Sequence, residues 1–127
     1  MGLRVGADIA RVDDVTESVA RFGDRYLGRL FTAHELATCT GAPAVVAASL
    51  AARFAAKEAT IKVLRPTEAT PPWRTIEVRQ DASGWCELHL SGEAARLAVA
   101  AEITELAVSL THDGGLAGAV VLAQCGS

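Results

Sequence analysis

Asp8, Glu58 and Lys62 are the residues of this 127-residue chain whose types and spacing suit chemistry. Glu58 and Lys62 lie in Arg53-Phe54-Ala55-Ala56-Lys57-Glu58-Ala59-Thr60-Ile61-Lys62, inside an alanine-rich stretch that favours helix. Four residues apart, they project from one helix face. Asp8 stands far upstream in Gly6-Ala7-Asp8-Ile9, near the end of a short apolar run that reads as a strand. A carboxylate beside an ammonium suits a site handling Mg²⁺ and phosphate, where the acid holds the metal and the base neutralises phosphate oxygens. If the strand end meets the helix, Asp8 and Glu58 share one Mg²⁺. Taken singly, neither feature is specific. A lone acid at a strand end is more often a turn residue than a ligand, and a Glu–Lys pair at this spacing is ordinarily a surface ion pair of about 0.2–0.5 kcal/mol.

The elements that must position these residues are legible in outline. Leu3 to Ile9 predicts a strand. Thr16 to Thr38 predicts a helix with Val19, Phe22, Tyr26 and Leu30 near one face, ended by Gly41 and Pro43. Val45 to Leu64 predicts a longer helix, and Pro66, Pro71 and Pro72 a loop that cannot continue it. Thr75 to Arg79 alternates, Asp81 to Gly84 turns, and Trp85 to Leu90 alternates again, which predicts a hairpin. Gly92 to Ile103 predicts a short helix. Two further strands, Leu106 to Thr111 and Leu116 to Ala123, flank a turn at His112-Asp113-Gly114-Gly115. The order β-α-α-β-β-α-β-β predicts one α+β domain over residues 1–127, with antiparallel strands packed against a long helix. Leu116 to Ala123 is apolar on both faces and should be covered on both, by a helix or by a second subunit.

Bulk properties narrow the function classes. The chain has the length of one domain with a real core, and its 50% hydrophobic content argues against disorder. No apolar run reaches the length of a membrane span, and the N-terminus lacks a basic region followed by a long apolar core, so a soluble cytoplasmic protein is expected. Cys39, Cys86 and Cys125 form no close pair and read as reduced thiols, not a disulfide framework or zinc knuckle. The net charge is −3, with nine Lys/Arg against seven Asp/Glu in residues 1–65 and three against eight in residues 66–127. A nucleic-acid binder would show a stronger basic face. Arg21, Arg25 and Arg29, four apart on the expected helix, make a stripe that could receive an acidic partner, although a solvated face is the commoner meaning. His34 and His89 read as ordinary surface or strand residues.

Six segments in order carry a resemblance that spans Gly6 to about Ala123. They are Gly6-Ala7-Asp8-Ile9, Phe31-Thr32-Ala33-His34-Glu35, the Arg53-to-Lys62 block, Trp73-Arg74-Thr75-Ile76-Glu77-Val78, Leu90-Ser91-Gly92-Glu93-Ala94 and Val108-Ser109-Leu110-Thr111-His112. Together they resemble the holo-acyl-carrier-protein synthases, the small trimeric group of 4′-phosphopantetheinyl transferases. The resemblance implies the 4′-phosphopantetheinyl transferase fold and a reaction in which coenzyme A gives its phosphopantetheine arm to a serine of an apo acyl carrier protein, leaving adenosine 3′,5′-bisphosphate. It implies Asp8 and Glu58 as Mg²⁺ ligands, Lys62 at the phosphates, and His112 with Arg53 in the coenzyme A site. It also implies a homotrimer with sites between subunits, and no nucleic-acid or membrane partner.

Departures from the family pattern bear on recognition. Many relatives carry an arginine about six residues after the first aspartate, and this chain has Asp14 there, beside Asp13. Arg11, Arg21 or Arg25 would then grip the carrier, or the carrier is less acidic than usual. The family's Gly-Thr-Gly after the lysine is replaced by Arg65-Pro66-Thr67; Pro66 cannot donate a backbone hydrogen bond, but Arg65 offers a charge to phosphate. Ala42 to Ala52 lacks the basic residues some relatives place there. These changes suit a branch serving polyketide or other secondary-metabolite carriers, with the fatty-acid carrier as the other candidate. A non-catalytic coenzyme A or carrier-binding module, or a thioester hydrolase, are the alternative functions. The intact acid pair favours pyrophosphate chemistry over both.

Overall fold

The strand expected from Leu3 to Ile9 is realised as a longer one, β1 (Gly2–Arg11). The computed structural model of the chain describes residues 2–126. After β1 come α1 (Val12–Phe22), α2 (Asp24–Leu30), α3 (Ala33–Thr38) and α4 (Pro43–Leu64). A 3-10 turn (Trp73–Thr75) leads into the hairpin of β2 (Ile76–Gln80) and β3 (Cys86–Leu90). Helix α5 (Gly92–Ala100) and the strands β4 (Ile103–Asp113) and β5 (Leu116–Cys125) complete the chain. The larger sheet has the order β1-β5-β4 and is antiparallel throughout, so the expected α+β architecture is what forms. Among the described residues, no helix is long and apolar enough to cross a membrane.

Helix α4 is the centre of the molecule. Pro43 at its first position supplies a ready-made helical φ. The helix ends at Arg65, which takes a left-handed φ of 52° and donates its amide to Ile61 O at 3.0 Å. Arg4 caps from the side, its Nη1 donating to Val63 O at 2.8 Å. Ala51, Ala55, Ala56 and Ala59 are fully buried along α4, and their small side chains let it lie close to the sheet. Ala117, Ala119, Val121 and Ala123 of β5 are buried as well. The alternate residues of the same strands point the other way. Leu3, Val5 and Ile9 of β1 are 66–71% exposed, and Leu116, Val120 and Leu122 of β5 are 43–48% exposed. The double-sided apolar strand is thus covered on one face by α4 and bare on the other in the single chain.

The single helix expected from Thr16 to Thr38 is instead three. Gly23, at φ 56°, turns the chain between α1 and α2. Phe31 and Thr32 are extended, and Thr32 with Glu35 forms a capping box that starts α3. The arginine stripe is broken accordingly: Arg21 lies on the last turn of α1, and Arg25 and Arg29 on α2 beyond the turn. The helix at Gly92 stops at Ala100, because Glu102 adopts a φ of 57° and starts the turn into β4.

Candidate active site

One close approach sets the geometry. A Cβ built on Gly6 would sit 2.2 Å from the carbonyl oxygen of Ala59 and 3.0 Å from Lys62 Cβ. Only glycine lets β1 cross α4 this tightly. Two residues on, Asp8 falls on the same face of β1. Lys62 Nζ donates to Ala7 O at 2.7 Å and lies 3.5 Å from Asp8 Oδ1. Glu58, one turn before Lys62, is partly buried, and burial first and the charge of Asp8 second push its carboxyl up, with Lys62 pulling the other way. The strand end and the helix therefore meet, which is the condition for Asp8 and Glu58 to act together. The ammonium that pairs with Asp8 also acts on Glu58 through its charge, so two carboxylates face one cation and a local excess of negative charge remains.

Asp8 and Glu58 line an open cavity of about 580 Å³ together with Asp14, Tyr26 and Phe54. Among the described residues, no three acids, histidines or cysteines cluster as a ready metal cage. Two hard oxygen donors facing open space fit Mg²⁺, which commonly takes one or two carboxylates and completes its octahedron with water and substrate phosphate. Asp14 is in the cavity wall, so this departure residue faces the site and its charge raises the Tyr26 phenol, after burial.

Arg53 and His112 line a second cavity of about 320 Å³, on the β4 side of α4, and the two cavities have no lining residue in common. Arg53 is 5% exposed; its Nη1 donates to Ser49 O at 3.3 Å and its Nη2 to Gln80 Oε1 at 3.2 Å. Its buried Nε has no partner among the described residues. Arg65 is exposed and lies on neither wall. The predicted residues thus fall into two sets, Asp8 with Glu58 and Lys62, and Arg53 with His112, with Arg65 apart.

The sequence model of the 4′-phosphopantetheinyl transferase superfamily matches residues 4–121. The chain belongs to this superfamily. It is 44% identical to the holo-[acyl-carrier-protein] synthase of Chloroflexus aggregans over 129 residues, which cover 93% of this chain and 92% of that one. The "ACPS-CoA complex" of Chronobacterium ammoniagenes superposes with a TM-score of 0.85 at 31% identity, covering all of both chains. The holo-[acyl-carrier-protein] synthase of Helicobacter pylori in complex with coenzyme A gives 0.82 at 27% identity, over 95% of this chain and 100% of that one. The chain is accordingly an enzyme, a phosphopantetheinyl transferase.

Next to the acid pair, this transferase holds an ion pair that sequence reasoning left without a role. Glu35 and Lys57 are both fully buried, with Lys57 Nζ 2.8 Å from Glu35 Oε1. Burial lowers the Lys57 ammonium from its ordinary value and Glu35 holds it up. Thr32-Ala33-His34-Glu35 has the spacing of a capping box, and that was the available signal. The Glu35 side chain does accept from the Thr32 amide at 2.9 Å, while Thr32 Oγ1 accepts from the Glu35 amide at 3.2 Å. Nothing in the spacing marks Lys57 as its partner, 22 residues away.

Proposed function

We propose that this transferase moves the 4′-phosphopantetheine arm of coenzyme A to a serine of an apo acyl carrier protein, with Mg²⁺, and releases adenosine 3′,5′-bisphosphate. The observation that carries the reading is the meeting of Asp8, Glu58 and Lys62 across β1 and α4. The names of its relatives point the same way, a holo-[acyl-carrier-protein] synthase among them and complexes with coenzyme A. Asp8 and Glu58 would hold the cation, and Mg²⁺ bound there would polarise the pyrophosphate and stabilise the charge on its leaving half.

The serine oxygen attacks the phosphorus that carries pantetheine, and the bond from that phosphorus to the bridging oxygen breaks toward adenosine bisphosphate. The serine proton needs an acceptor. Glu58, its carboxyl pushed up by burial and by Asp8, serves directly or by orienting a water. Lys62, half exposed, is free to turn its ammonium onto phosphate oxygens. Positioning and charge neutralisation carry this kind of displacement. Arg53 and His112 take the adenosine bisphosphate end, where a guanidinium with an unpartnered Nε suits a phosphate. Arg65 adds a charged contact to phosphate from the end of α4.

The two sets of residues line separate cavities, an arrangement that suits a coenzyme A site completed where two chains meet. A homotrimer closed by cyclic symmetry provides that, and the bare face of Leu3, Val5, Ile9, Val120 and Leu122 supports it. Val120→Glu is expected to convert the assembly to monomers by light scattering, with transfer lost. A Val120→Glu protein that stays trimeric removes this face from the interface. Asp14 in the cavity wall favours a carrier less acidic than the fatty-acid one, and Pro66 after Arg65 alters the approach to coenzyme A. Together they suit polyketide or other secondary-metabolite synthesis, in the cytoplasm where coenzyme A and Mg²⁺ are present.

The reaction is tested by mixing the protein with coenzyme A, Mg²⁺ and a panel of apo fatty-acid and polyketide carriers, then weighing the carriers intact. A gain of one phosphopantetheine, abolished by EDTA, is the expected result. Binding of coenzyme A with no gain on any carrier would overturn the reading.

A further inference from the structure

We infer that the buried Glu35–Lys57 pair is the positioning device for Glu58: it fixes the rotation and axial placement of α4, and with them the aim of the Glu58 carboxylate toward Asp8. The inference rests on the proposed metal role of Glu58. Helix packing is normally keyed by side-chain bulk, ridges seated in grooves. In the turn around Glu58 the buried surface of α4 besides Lys57 is Ala55, Ala56, Ala59 and the small Thr60, which offers few steps against rotation. The bulkier buried Leu50, Arg53, Val63 and Leu64 lie five or more residues away along the helix. This turn needs a key of its own.

Lys57, immediately before Glu58, supplies one. Its ammonium has three hydrogens and no acceptor. All three have partners: Glu35 Oε1 at 2.8 Å, Trp73 O at 3.1 Å and Ile76 O. Two of these are main-chain carbonyls, from the 3-10 turn and from the start of β2. Glu35 is itself tied at both oxygens, Oε1 accepting from the Thr32 amide and Oε2 from the Val78 amide at 2.9 Å. One ammonium therefore pins α4 to α3, the 3-10 turn and β2 at once. Successive helix residues are about 100° apart, so with Lys57 held in this cradle Glu58 is turned away from it, into the cavity with Asp8. The Gly6–Ala59 contact presses on α4 from β1.

A purely stabilising role predicts something different. Desolvation offsets much of the attraction in a buried ion pair, and an apolar pair of similar volume often holds a fold equally well. The decisive variant is therefore the double replacement Glu35→Leu/Lys57→Met, assayed for melting temperature, for Mn²⁺ binding to the coenzyme-free protein by electron paramagnetic resonance, and for kcat and KM. Expected is a melting temperature near wild type, with Mn²⁺ affinity and kcat each reduced about tenfold or more and KM for the carrier unchanged. A folded double variant that binds Mn²⁺ and turns over like wild type overturns the positioning alone. Wild-type protein that binds no Mn²⁺ overturns the metal role of Glu58 and this inference with it. If the double variant does not fold, Glu35→Gln is assayed below its own melting temperature. Weakened Mn²⁺ binding there supports the inference, and wild-type binding overturns it.

Discussion

Asp8→Ala is expected to lower kcat/KM about a thousandfold at saturating Mg²⁺, the loss of several kcal/mol that follows if one of the two proposed metal-holding carboxylates is removed. The fold should survive. The Asp8–Lys62 pair is 3.5 Å apart with the lysine side chain 54% exposed, and such pairs contribute at most about 1 kcal/mol. Removing Asp8 also relieves the repulsion that helps push Glu58 up. The melting temperature should therefore move by only a few degrees while transfer disappears, and the two are read from one preparation by calorimetry and intact-carrier mass. Wild-type rates at ordinary Mg²⁺ would take Asp8 out of the site.

Gly6→Ala should be the most damaging single methyl in the chain. The new Cβ would stand 2.2 Å from a main-chain oxygen of α4, which cannot swing aside as a flexible side chain would. The strand and helix must separate, at about 3 kcal/mol or more, or roughly 10 °C in melting temperature. Asp8, Glu58 and Lys62 lie on the same two elements, so activity should fall beyond what unfolding explains. Gly28→Ala is the control. Gly28 is exposed within α2, and nothing lies within 4 Å of the Cβ it would gain. That substitution should leave stability unchanged or raise it by about 0.5–1 kcal/mol. Equal melting temperatures for the two variants would mean that β1 and α4 are not in the contact described.

Asp8, Glu58 and Lys62 were legible because each belongs to a local pattern, an acid near a strand end and a charged pair one helical turn apart. Their meeting was not, because it depends on Gly6, whose role is the absence of a side chain against an element more than fifty residues away. The β2–β3 hairpin was readable from alternation around a turn. Gly23 misled in the opposite sense: four apolar residues at helical spacing ran across it, and only its positive φ shows that the helix stops there. Lys57 was invisible as a buried group. In sequence a lysine in a helix reads as solvated, and its partners are two carbonyl oxygens and an acid on other elements. Arg53 was placed in the coenzyme A site by resemblance alone; its burial with an unpartnered nitrogen is visible only in three dimensions.

The alanines that bring α4 down onto the sheet have a counterpart on the other side of that sheet. Small residues fill the interior between helix and strands, while Leu3, Val5, Ile9, Val120 and Leu122 stand outside. Much of the apolar surface of this chain is therefore out of reach of its own core. In the proposed trimer the neighbouring copies would remove that surface from water, and folding and association would be linked by mass action. The persistence of the native state would then depend on how many chains are present as well as on what each chain contains.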